Sequence, residues 1–266
     1  MAREPYPSDV NDAEWGIIEP LLPASKPIGR RRQVDLREII NGIFYVLHEG
    51  CTWRALPHDL PPWQTVYNYF RRWQQLGVWQ EIHTQLRNQV RKSMNKKEDA
   101  TAAIIDSQSV KTAEKKGEVY GYDGGKQIKG RKRFILVDTL GLVLATIVME
   151  ANCPERLGGA ALVMEDPATA ENLVVIWVDL GFSGENFARV IQQLCDANVD
   201  VVSRQSPEFQ VLPKRWIVER TFGWWNQYRR LSKDYELLPE ISESIIYTVM
   251  IRLMLKRLSK SRSRAS

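Results

Sequence analysis

Apolar residues recur at helical spacing through the first hundred residues of the chain. In the clearest case, apolar side chains from Ile39 to Leu47 follow a capping Asp35 and stop at Gly50. Proline and glycine bound the other segments of this region, because proline suits a helix start and interrupts a helix interior. The pattern predicts helices over residues 12–22, 35–50 and 63–76, with a helical turn over 52–56.

Short segments rich in valine and isoleucine follow a charged, apolar-poor stretch at residues 95–99. Such segments are typical of strands, and helical patterns lie between the later ones. The predicted strands are 102–106, 134–139, 142–150, 173–179 and 199–203, and the predicted helices are 158–165, 184–197, 216–228 and 241–258. Leu140-Gly141 has the composition of a hairpin turn between the second and third strands. This order predicts an α/β (α+β) fold, a mixed sheet flanked by helices.

Length and composition are those of a globular protein with one large domain or two modest ones. The chain has 266 residues, of which 44% are hydrophobic and 26% are charged. No apolar run approaches the roughly 20 residues that span a bilayer, and the polar N-terminus lacks the apolar segment of a secretory signal. Three widely separated cysteines predict neither a disulfide framework nor a zinc site, so we expect a reducing compartment.

Positive charge is concentrated in three stretches, although the formal net charge is only +5. Residues 111–133 carry eight basic and three acidic side chains, 214–233 carry six and one, and 252–264 carry six and none. Residues 155–200 carry eight acidic side chains and two basic ones. A solvated surface mixes the two signs, whereas a surface that binds a polyanion gathers positive charge in stripes. The distribution favours a nucleic-acid partner over solvated faces that cluster by chance.

The segment 52–76 has the outline of a helix-turn-helix motif. Its last helix carries side chains that pair with base edges or grip phosphates in DNA-binding proteins: Gln64, Tyr67, Asn68, Arg71 and Arg72. An ordinary helical bundle with a polar face is the commoner meaning of so loose a pattern. Both interpretations therefore stay open at the level of this motif.

Carboxylates are the best candidates for chemistry in this chain. Its three histidines all lie in the N-terminal helical region without metal-ligand spacing, and no phosphate-binding glycine loop occurs. Asp106 and Asp179 each close a predicted strand, where sites form in open sheets. Glu219 is the single acid among the cations at the start of a predicted helix. Each alone has an ordinary explanation as a turn cap or an ion-paired helix residue. Together they predict a three-carboxylate site for Mg²⁺ or Mn²⁺.

Recognisable motifs extend in order over nearly the whole chain. They are GCTWRALP at 50–57, PWQTVY at 62–67, IDSQSVK at 105–111, GYD at 121–123, GRKR at 130–133, VLPKRWIVERTF at 211–222 and YRRL at 228–231. This set resembles the bacterial insertion-sequence transposases of the DDE type, specifically the IS-five family. The resemblance implies a ribonuclease-H-like core in which Asp106, Asp179 and Glu219 are catalytic residues that bind two divalent metal ions, Mg²⁺ or Mn²⁺. It also implies a supporting role for Arg215.

The chain departs from the family pattern at a few positions. Leu212 and Asn226 stand where the broader terminal signature has tyrosine and lysine. Leu180 stands where a small residue usually follows the second aspartate, and residues 152–156 lack an expected aspartate-containing pattern. The three acids themselves are retained.

The patterns and the resemblance together predict a helical DNA-binding domain over 1–98, a ribonuclease-H-like catalytic domain over 99–258 and a disordered basic tail over 259–266. As the resemblance implies, the protein would bind terminal inverted repeats, cleave the element ends and join them to target double-stranded DNA. It would do so as a homodimer or higher oligomer in the bacterial cytoplasm, associated with the nucleoid. A metal-dependent nuclease without strand transfer and a transposase-derived repressor are the alternatives.

Basic side chains outside the triad are expected to clamp the DNA backbone. Besides the helix residues named above, they are Arg54, Lys111, Lys126, Lys129, Arg131, Lys132, Arg133, Arg220, Arg229, Arg230 and Lys233. Trp224, Trp225 and Tyr228 alternate with this charge and are candidates for stacking on unpaired bases, with core packing the expected role of at least one.

Overall fold

The computed structural model of the chain describes residues 3–24, 33–114, 117–202 and 214–265. The chain divides into two compact units. The helical unit comprises Met1–Lys96, Gln227–Leu231 and Ser244–Ser266, and the sheet unit comprises Lys97–Asn226 and Ser232–Glu243. The predicted boundary at 98/99 lies close to the end of the first segment. The C-terminal helix departs from the prediction, because its larger part clusters with the helical unit and not with residues 99–243.

The helices of the helical unit each bury an apolar face. They are α1 (Asp12–Ile18), α2 (Leu36–Glu49), α3 (Trp63–Gln75), α4 (Val78–Ser93) and most of α9 (Pro239–Ala265). The predicted helices of this region are present, and α4 adds to them. Asp35 caps α2 by accepting the N–H of Arg37, and Gly50 ends it in the left-handed region at φ 70°. A Cβ on Gly50 would lie 2.7 Å from the Cβ of Arg229, so both the conformation and the space require glycine.

Helix α9 is buried along most of its length within the helical unit. Its buried apolar side chains there are Ile245, Ile246, Val249, Met250, Ile251, Met254, Leu255 and Leu258. The Tyr247 ring lies 5.0 Å from that of His83, and Arg252 forms an ion pair with Glu14 at 2.8 Å. These contacts give the physical reason why α9 groups with the N-terminal helices. The helix continues to Ala265, so the predicted disordered tail is helical up to that residue.

The sheet unit contains six strands in the order β2-β3-β1-β5-β6, with β4 paired to β3. The strands are β1 (Ala102–Lys111), β2 (Gly121–Asp123), β3 (Ile128–Asp138), β4 (Val143–Glu150), β5 (Val175–Val178) and β6 (Asn198–Val201). The helices are α5 (Glu155–Glu165), α6 (Pro167–Ala170), α7 (Glu185–Cys195) and α8 (Arg215–Trp225). β1 runs antiparallel to β3 and parallel to β5. The predicted mixed sheet flanked by helices is confirmed.

Apolar residues of β1, β3, β5, α5 and α7 form the main core of the sheet unit. The predicted hairpin at Leu140-Gly141 is present, with Gly141 at φ 77° and its N–H donating to the carbonyl of Asp138 at 2.9 Å. β3 begins at Ile128, earlier than predicted, because the charged residues before Phe134 continue the strand and pair with β1. Among the described residues, no helix is both long enough and apolar enough to cross a membrane.

Candidate active site

Asp106 and Asp179 lie side by side on neighbouring strands of the sheet unit. β1 and β5 are parallel, in a register that pairs Ile104 with Trp177. Two residues further along both strands, the same register sets Asp106 level with Asp179. Both aspartates line one small pocket together with Arg215. β1 extends beyond Asp106, which therefore lies within a strand and not at its end as predicted, whereas Asp179 directly follows β5.

Arg215 links the second aspartate to the third predicted acid, Glu219. Arg215 and Glu219 are one helical turn apart in α8, on the same side of the helix. The Nη2 of Arg215 is 3.7 Å from Oδ2 of Asp179, and its Nε is 3.6 Å from Oε1 of Glu219. Arg215 thus contacts two acids from distant parts of the chain, and Asp106 lines the same pocket as Arg215 and Asp179. Of the two acids that contact Arg215, Glu219 is the more exposed: its side chain is 63% exposed, whereas that of Asp179 is 26% exposed.

Burial raises the pKa of the Asp106 carboxyl from its ordinary value of 3.8 to about 7. The N–H of Ser107, which donates to Oδ1 at 2.7 Å, opposes this shift. The negative charge of Asp179 raises the pKa further, and the positive charges of Arg215 and Lys126 lower it. Poor solvation and a neighbouring carboxylate therefore keep Asp106 largely protonated below neutral pH. Perturbed carboxyl groups of this kind concentrate at functional sites.

We predict that Asp106→Asn is more stable than the wild type above neutral pH when a chelator is present. The folded state keeps the Asp106 proton up to about pH 7, whereas the unfolded state releases it near 3.8. Wild-type stability therefore falls as pH rises through this window, by at most ~4 kcal/mol, and asparagine escapes this loss. Denaturant unfolding in EDTA at about pH 5 and about pH 8 should show the advantage of the variant growing with pH.

Glu243 supplies a control for this prediction. Burial raises its pKa to about 7 as well, and its carboxylate accepts the N–H of Val148 at 2.8 Å. Glu243→Gln should remove a separate part of the same pH dependence, so the two effects should add. An Asp106→Asn variant no more stable than the wild type at about pH 8 would contradict the raised pKa of Asp106.

The donor set of the site suits a hard divalent cation. Carboxylate oxygens are the ligands that Mg²⁺ and Mn²⁺ prefer, and a bound cation would offset the burial that keeps Asp106 protonated. Within the parts of the chain that the structure describes, no group of three or more Asp, Glu, His or Cys side chains lies close enough to hold a metal ion. The Arg215 guanidinium instead takes the place of a cation between Asp179 and Glu219. The chemistry of the three carboxylates therefore fits a divalent cation.

A polar network that the sequence did not predict surrounds Ser107, the residue after Asp106. Ser107 Oγ donates to Oε2 of Glu155 at 2.8 Å, and Lys132 Nζ donates to Oε1 of Glu155 at 3.2 Å. Lys132 Nζ also lies 3.8 Å from Asp123. The local signal for Glu155 is weak: an acid in the first turn of α5, where the helix dipole favours negative charge. Nothing in the sequence indicates its partners.

Four cations of the sheet unit that are predicted to contact DNA are exposed: Lys111, Lys126, Lys129 and Lys233. Lys126 is the one nearest the acids, because its Nζ lies 3.4 Å from the Ser107 carbonyl and its charge acts on Asp106. Lys129 Nζ lies 5.7 Å from the centre of the Tyr120 ring. These four positions stay predicted DNA contacts.

Four other predicted DNA contacts are wrong, because their side chains are buried: Arg131, Lys132, Arg133 and Arg230, at 7% exposure or less. Arg131 forms an ion pair with Asp234 at 3.1 Å, and both side chains are 0% exposed. Arg133 and Arg230 each donate to a backbone carbonyl at 3.0 Å. Their burial keeps these side chains away from phosphates.

The residues predicted to stack on bases differ in exposure. Trp225 and Tyr228 are 1% and 5% exposed, so they belong to the interior and the prediction is wrong for both. Trp224 is half-buried. The Cζ of Arg220 lies 4.5 Å from the ring centre of Trp216 and 5.0 Å from that of Trp224. Cation–π contacts on both sides therefore hold Arg220 against the surface of α8.

The outer face of α3, in the helical unit, carries the predicted base-reading residues. Gln64, Asn68 and Arg72 follow one another at every fourth residue and are exposed. Tyr67 and Arg71 are half-buried. The Trp53 ring packs against Tyr67 at 5.4 Å. The element before α3 is a single 3₁₀ turn, Trp53–Ala55, so it is shorter than the helix of a helix-turn-helix motif. Arg54 and Arg229, in the same unit, are also exposed.

The positions that depart from the family pattern lie near the site or outside the described residues. Leu212, with the rest of 203–213, lies outside the residues that the structure describes. Leu180 is 64% exposed in the turn after Asp179. Residues 152–156 lead into α5 and include Glu155, so this stretch contributes an acid of its own to the surroundings of the site.

Two family models match the chain. Residues 97–254 match the family described as the transposase DDE domain, and residues 10–83 match a family described as a transposase of the IS4/5 family. The chain is 34% identical over 108 residues to an uncharacterized 16.2 kDa protein of insertion element IS402 from Burkholderia cepacia. That match covers 38% of this chain and 72% of the relative. No solved structure gives a significant match.

Proposed function

Because the chain belongs to the family of transposase DDE domains, we propose that it cleaves the ends of an insertion sequence and joins them to target DNA. The proposed substrates are the terminal inverted repeats of the element and a double-stranded target. The proposed catalytic acids are Asp106, Asp179 and Glu219, supported by Arg215. A homodimer or higher oligomer would bring the two ends of the element to one target.

The observation that carries the proposal is that Asp106, Asp179 and Arg215 line one pocket while Arg215 also contacts Glu219. Asp106 and Asp179 come from parallel neighbours in the sheet, and Glu219 comes from a helix that follows much later in the chain. The raised pKa of Asp106 adds support, since a carboxyl kept protonated by burial ionises readily when positive charge arrives. Asp179 also caps the turn that follows it, and Glu219 forms an ion pair within α8, but neither role explains why Asp106 shares a pocket with Asp179 and Arg215.

The three carboxylates would hold two divalent metal ions, Mg²⁺ or Mn²⁺, which when bound activate an attacking oxygen and stabilise the leaving one. The residues of the chain do the remaining work. Arg215, which neutralises Asp179 and Glu219, becomes available to phosphate oxygens once it leaves them. Lys126 brings a further positive charge to the edge of the site. Cleavage and joining are both in-line displacements at phosphorus, so one site serves both.

The proposal is tested with the full-length protein, DNA that carries the element ends, and a plasmid target. Mg²⁺ or Mn²⁺ should support cleavage and the joining of a pre-cleaved end. Ca²⁺ should support binding alone, because its larger and looser coordination does not enforce the geometry of the displacement. Cleavage without joining would favour the nuclease alternative, and binding with neither activity would favour a repressor. Full activity in chelator would contradict the role of the metal.

We also propose that α3 recognises the sequence of the element ends, whereas the exposed lysines of the sheet unit bind DNA without preference. Gln64 and Asn68 support the first part, since amide side chains on an exposed helix face can pair with adenine. Lys126 and Lys129 support the second, since lysine ammonium groups suit phosphates and carry no base specificity.

Asn68→Ala should lower the preference for end DNA over scrambled DNA by ~1–3 kcal/mol, with a nearly unchanged salt dependence of binding. Lys129→Ala, the matched control, should weaken binding to both DNAs alike and reduce the salt slope by about one unit. Binding is measured by salt titration on both DNAs for each variant. The reverse pattern, with specificity lost only in the lysine variant, would contradict recognition by α3.

A further inference from the structure

A backbone N–H group orients each of the two proposed catalytic aspartates. The N–H of Ser107 donates to Oδ1 of Asp106 at 2.7 Å, and the N–H of Gly181 donates to Oδ1 of Asp179 at 2.9 Å. In both cases the main chain holds one carboxylate oxygen and leaves the second for other partners. The orientation of each aspartate therefore depends on the position of a single peptide group.

The two residues that supply these N–H groups, Ser107 and Gly181, both lie against the side chain of Glu155. Ser107 donates its hydroxyl to Oε2 of Glu155 at 2.8 Å. A Cβ built on Gly181 would lie 3.2 Å from Cγ of Glu155 and 3.1 Å from Oδ1 of Asp179. Gly181 is thus wedged between the aliphatic part of the glutamate and the carboxylate that it orients. A larger residue there would have to displace one of them.

Lys132 holds Glu155 in place. Its Nζ donates to Oε1 of Glu155 at 3.2 Å and to the carbonyl of Cys153 at 2.9 Å. The lysine is only 5% exposed, and it also faces Asp123 at 3.8 Å. Asp123 in turn accepts the hydroxyl of Ser109 at 2.5 Å. A charge-paired network with this many fixed members leaves Glu155 little freedom to move.

We propose that Glu155 is a positioning residue that couples the orientations of Asp106 and Asp179. It acts on the first through Ser107 and on the second through Gly181. Since Lys132 neutralises it, its role is to support the ligands and not to bind the metal. Groups that support metal ligands in this way typically change metal affinity or activity by about 10–100-fold when replaced. The inference rests on the proposed catalytic role of the two aspartates.

The test compares Glu155→Gln with the wild type in the full-length protein. Glutamine keeps the size of the side chain but loses the charge opposite Lys132 and one acceptor oxygen. We expect kcat for end cleavage to fall by about 10–100-fold, with KM for end DNA unchanged. Mn²⁺ affinity without DNA, measured by the metal-induced rise in melting temperature, should weaken by about 10–100-fold. Glu185→Gln, at an exposed acid in the first turn of α7, is the matched control and should change neither quantity.

Substitutions at Ser107 and Gly181 test the two contacts of Glu155 separately. Ser107→Ala should also lower kcat. The double variant Ser107→Ala/Glu155→Gln should lower kcat by less than the product of the two single effects, because both substitutions disturb the same hydrogen bond. If Glu155→Gln does not fold, Gly181→Ala replaces it, since that variant keeps the charge pair with Lys132 and crowds the contact of residue 181 with both Glu155 and Asp179. It should lower kcat by about tenfold or more, and a normal kcat in this variant would show that the contact between Gly181 and Glu155 does not control Asp179.

Normal kcat and normal Mn²⁺ affinity in Glu155→Gln would overturn the inference. A lower melting temperature with both quantities unchanged in the folded protein would overturn it too, because it would assign Glu155 a purely structural role. Failure of the proposed function has a different result. In that case the wild type would not cleave end DNA at all, or Asp106→Asn would cleave it as fast as the wild type, whatever Glu155→Gln does.

Discussion

Asparagine in place of Asp106 is expected to lower the rate of end cleavage by at least ~10³-fold, because several kcal/mol of transition-state stabilisation depend on its charge. Affinity for end DNA should stay within about twofold, since phosphate contacts come from lysine and arginine elsewhere. Asp179→Asn and Glu219→Gln should have comparable effects. Cleavage is measured in a single turnover with saturating protein and Mg²⁺, and binding is measured in Ca²⁺.

The expected stability of the variant separates lost chemistry from lost folding. Asp106→Asn should be inactive and yet more stable than the wild type above neutral pH in chelator, because burial penalises the ionised aspartate. Glu171→Gln, at an exposed acid of the sheet unit, is the control and should cleave normally. A wild-type rate in any one of the three triad variants would remove that residue from the catalytic set.

Methionine in place of Arg131 is expected to lower the free energy of unfolding by ~3–5 kcal/mol, because it leaves Asp234 charged and unpaired in the interior. The two side chains are 0% exposed and 3.1 Å apart. The guanidinium also donates to the carbonyls of Val119 and Leu237, at 2.8 and 2.7 Å. The midpoint of thermal unfolding, followed by circular dichroism, should fall by roughly 10 °C.

Lys129→Met is the matched control for this prediction, because Lys129 is an exposed cation on the same strand. It should change stability by no more than about 0.5 kcal/mol. Adding Asp234→Asn to Arg131→Met should recover part of the loss, since the unpaired charge disappears. At a temperature where Arg131→Met is folded, its affinity for random DNA should equal that of the wild type. Normal stability with weakened DNA binding would restore Arg131 as a phosphate contact.

Local sequence patterns were sufficient to predict most of the helices and strands. Helix α2 can be predicted from its own segment, which contains its apolar periodicity, its capping Asp35 and its terminating Gly50. The valine- and isoleucine-rich strands and the hairpin at Gly141 are local in the same sense. Their order along the chain predicted a mixed sheet flanked by helices.

The basic stretch at 128–133 shows where local patterns fail. Consecutive cations are usually solvated, and the sequence gives no sign that these residues continue β3. Arg131 is buried because Asp234, which lies 103 residues further along the chain, meets it in the sheet unit. A charge is buried only where a partner compensates it, and that partner is invisible until the chain has folded.

The sequence by itself determined the order of helices and strands and the family, and it predicted the three acids, since each depends on residue types in a fixed linear order. The tertiary structure decided which cations are exposed, that α9 packs with the N-terminal helices, and that Glu155 lies against both Ser107 and Gly181. These features arise from contacts between residues far apart in the chain. Burial and charge pairing act through distance in space, and linear patterns do not encode that distance.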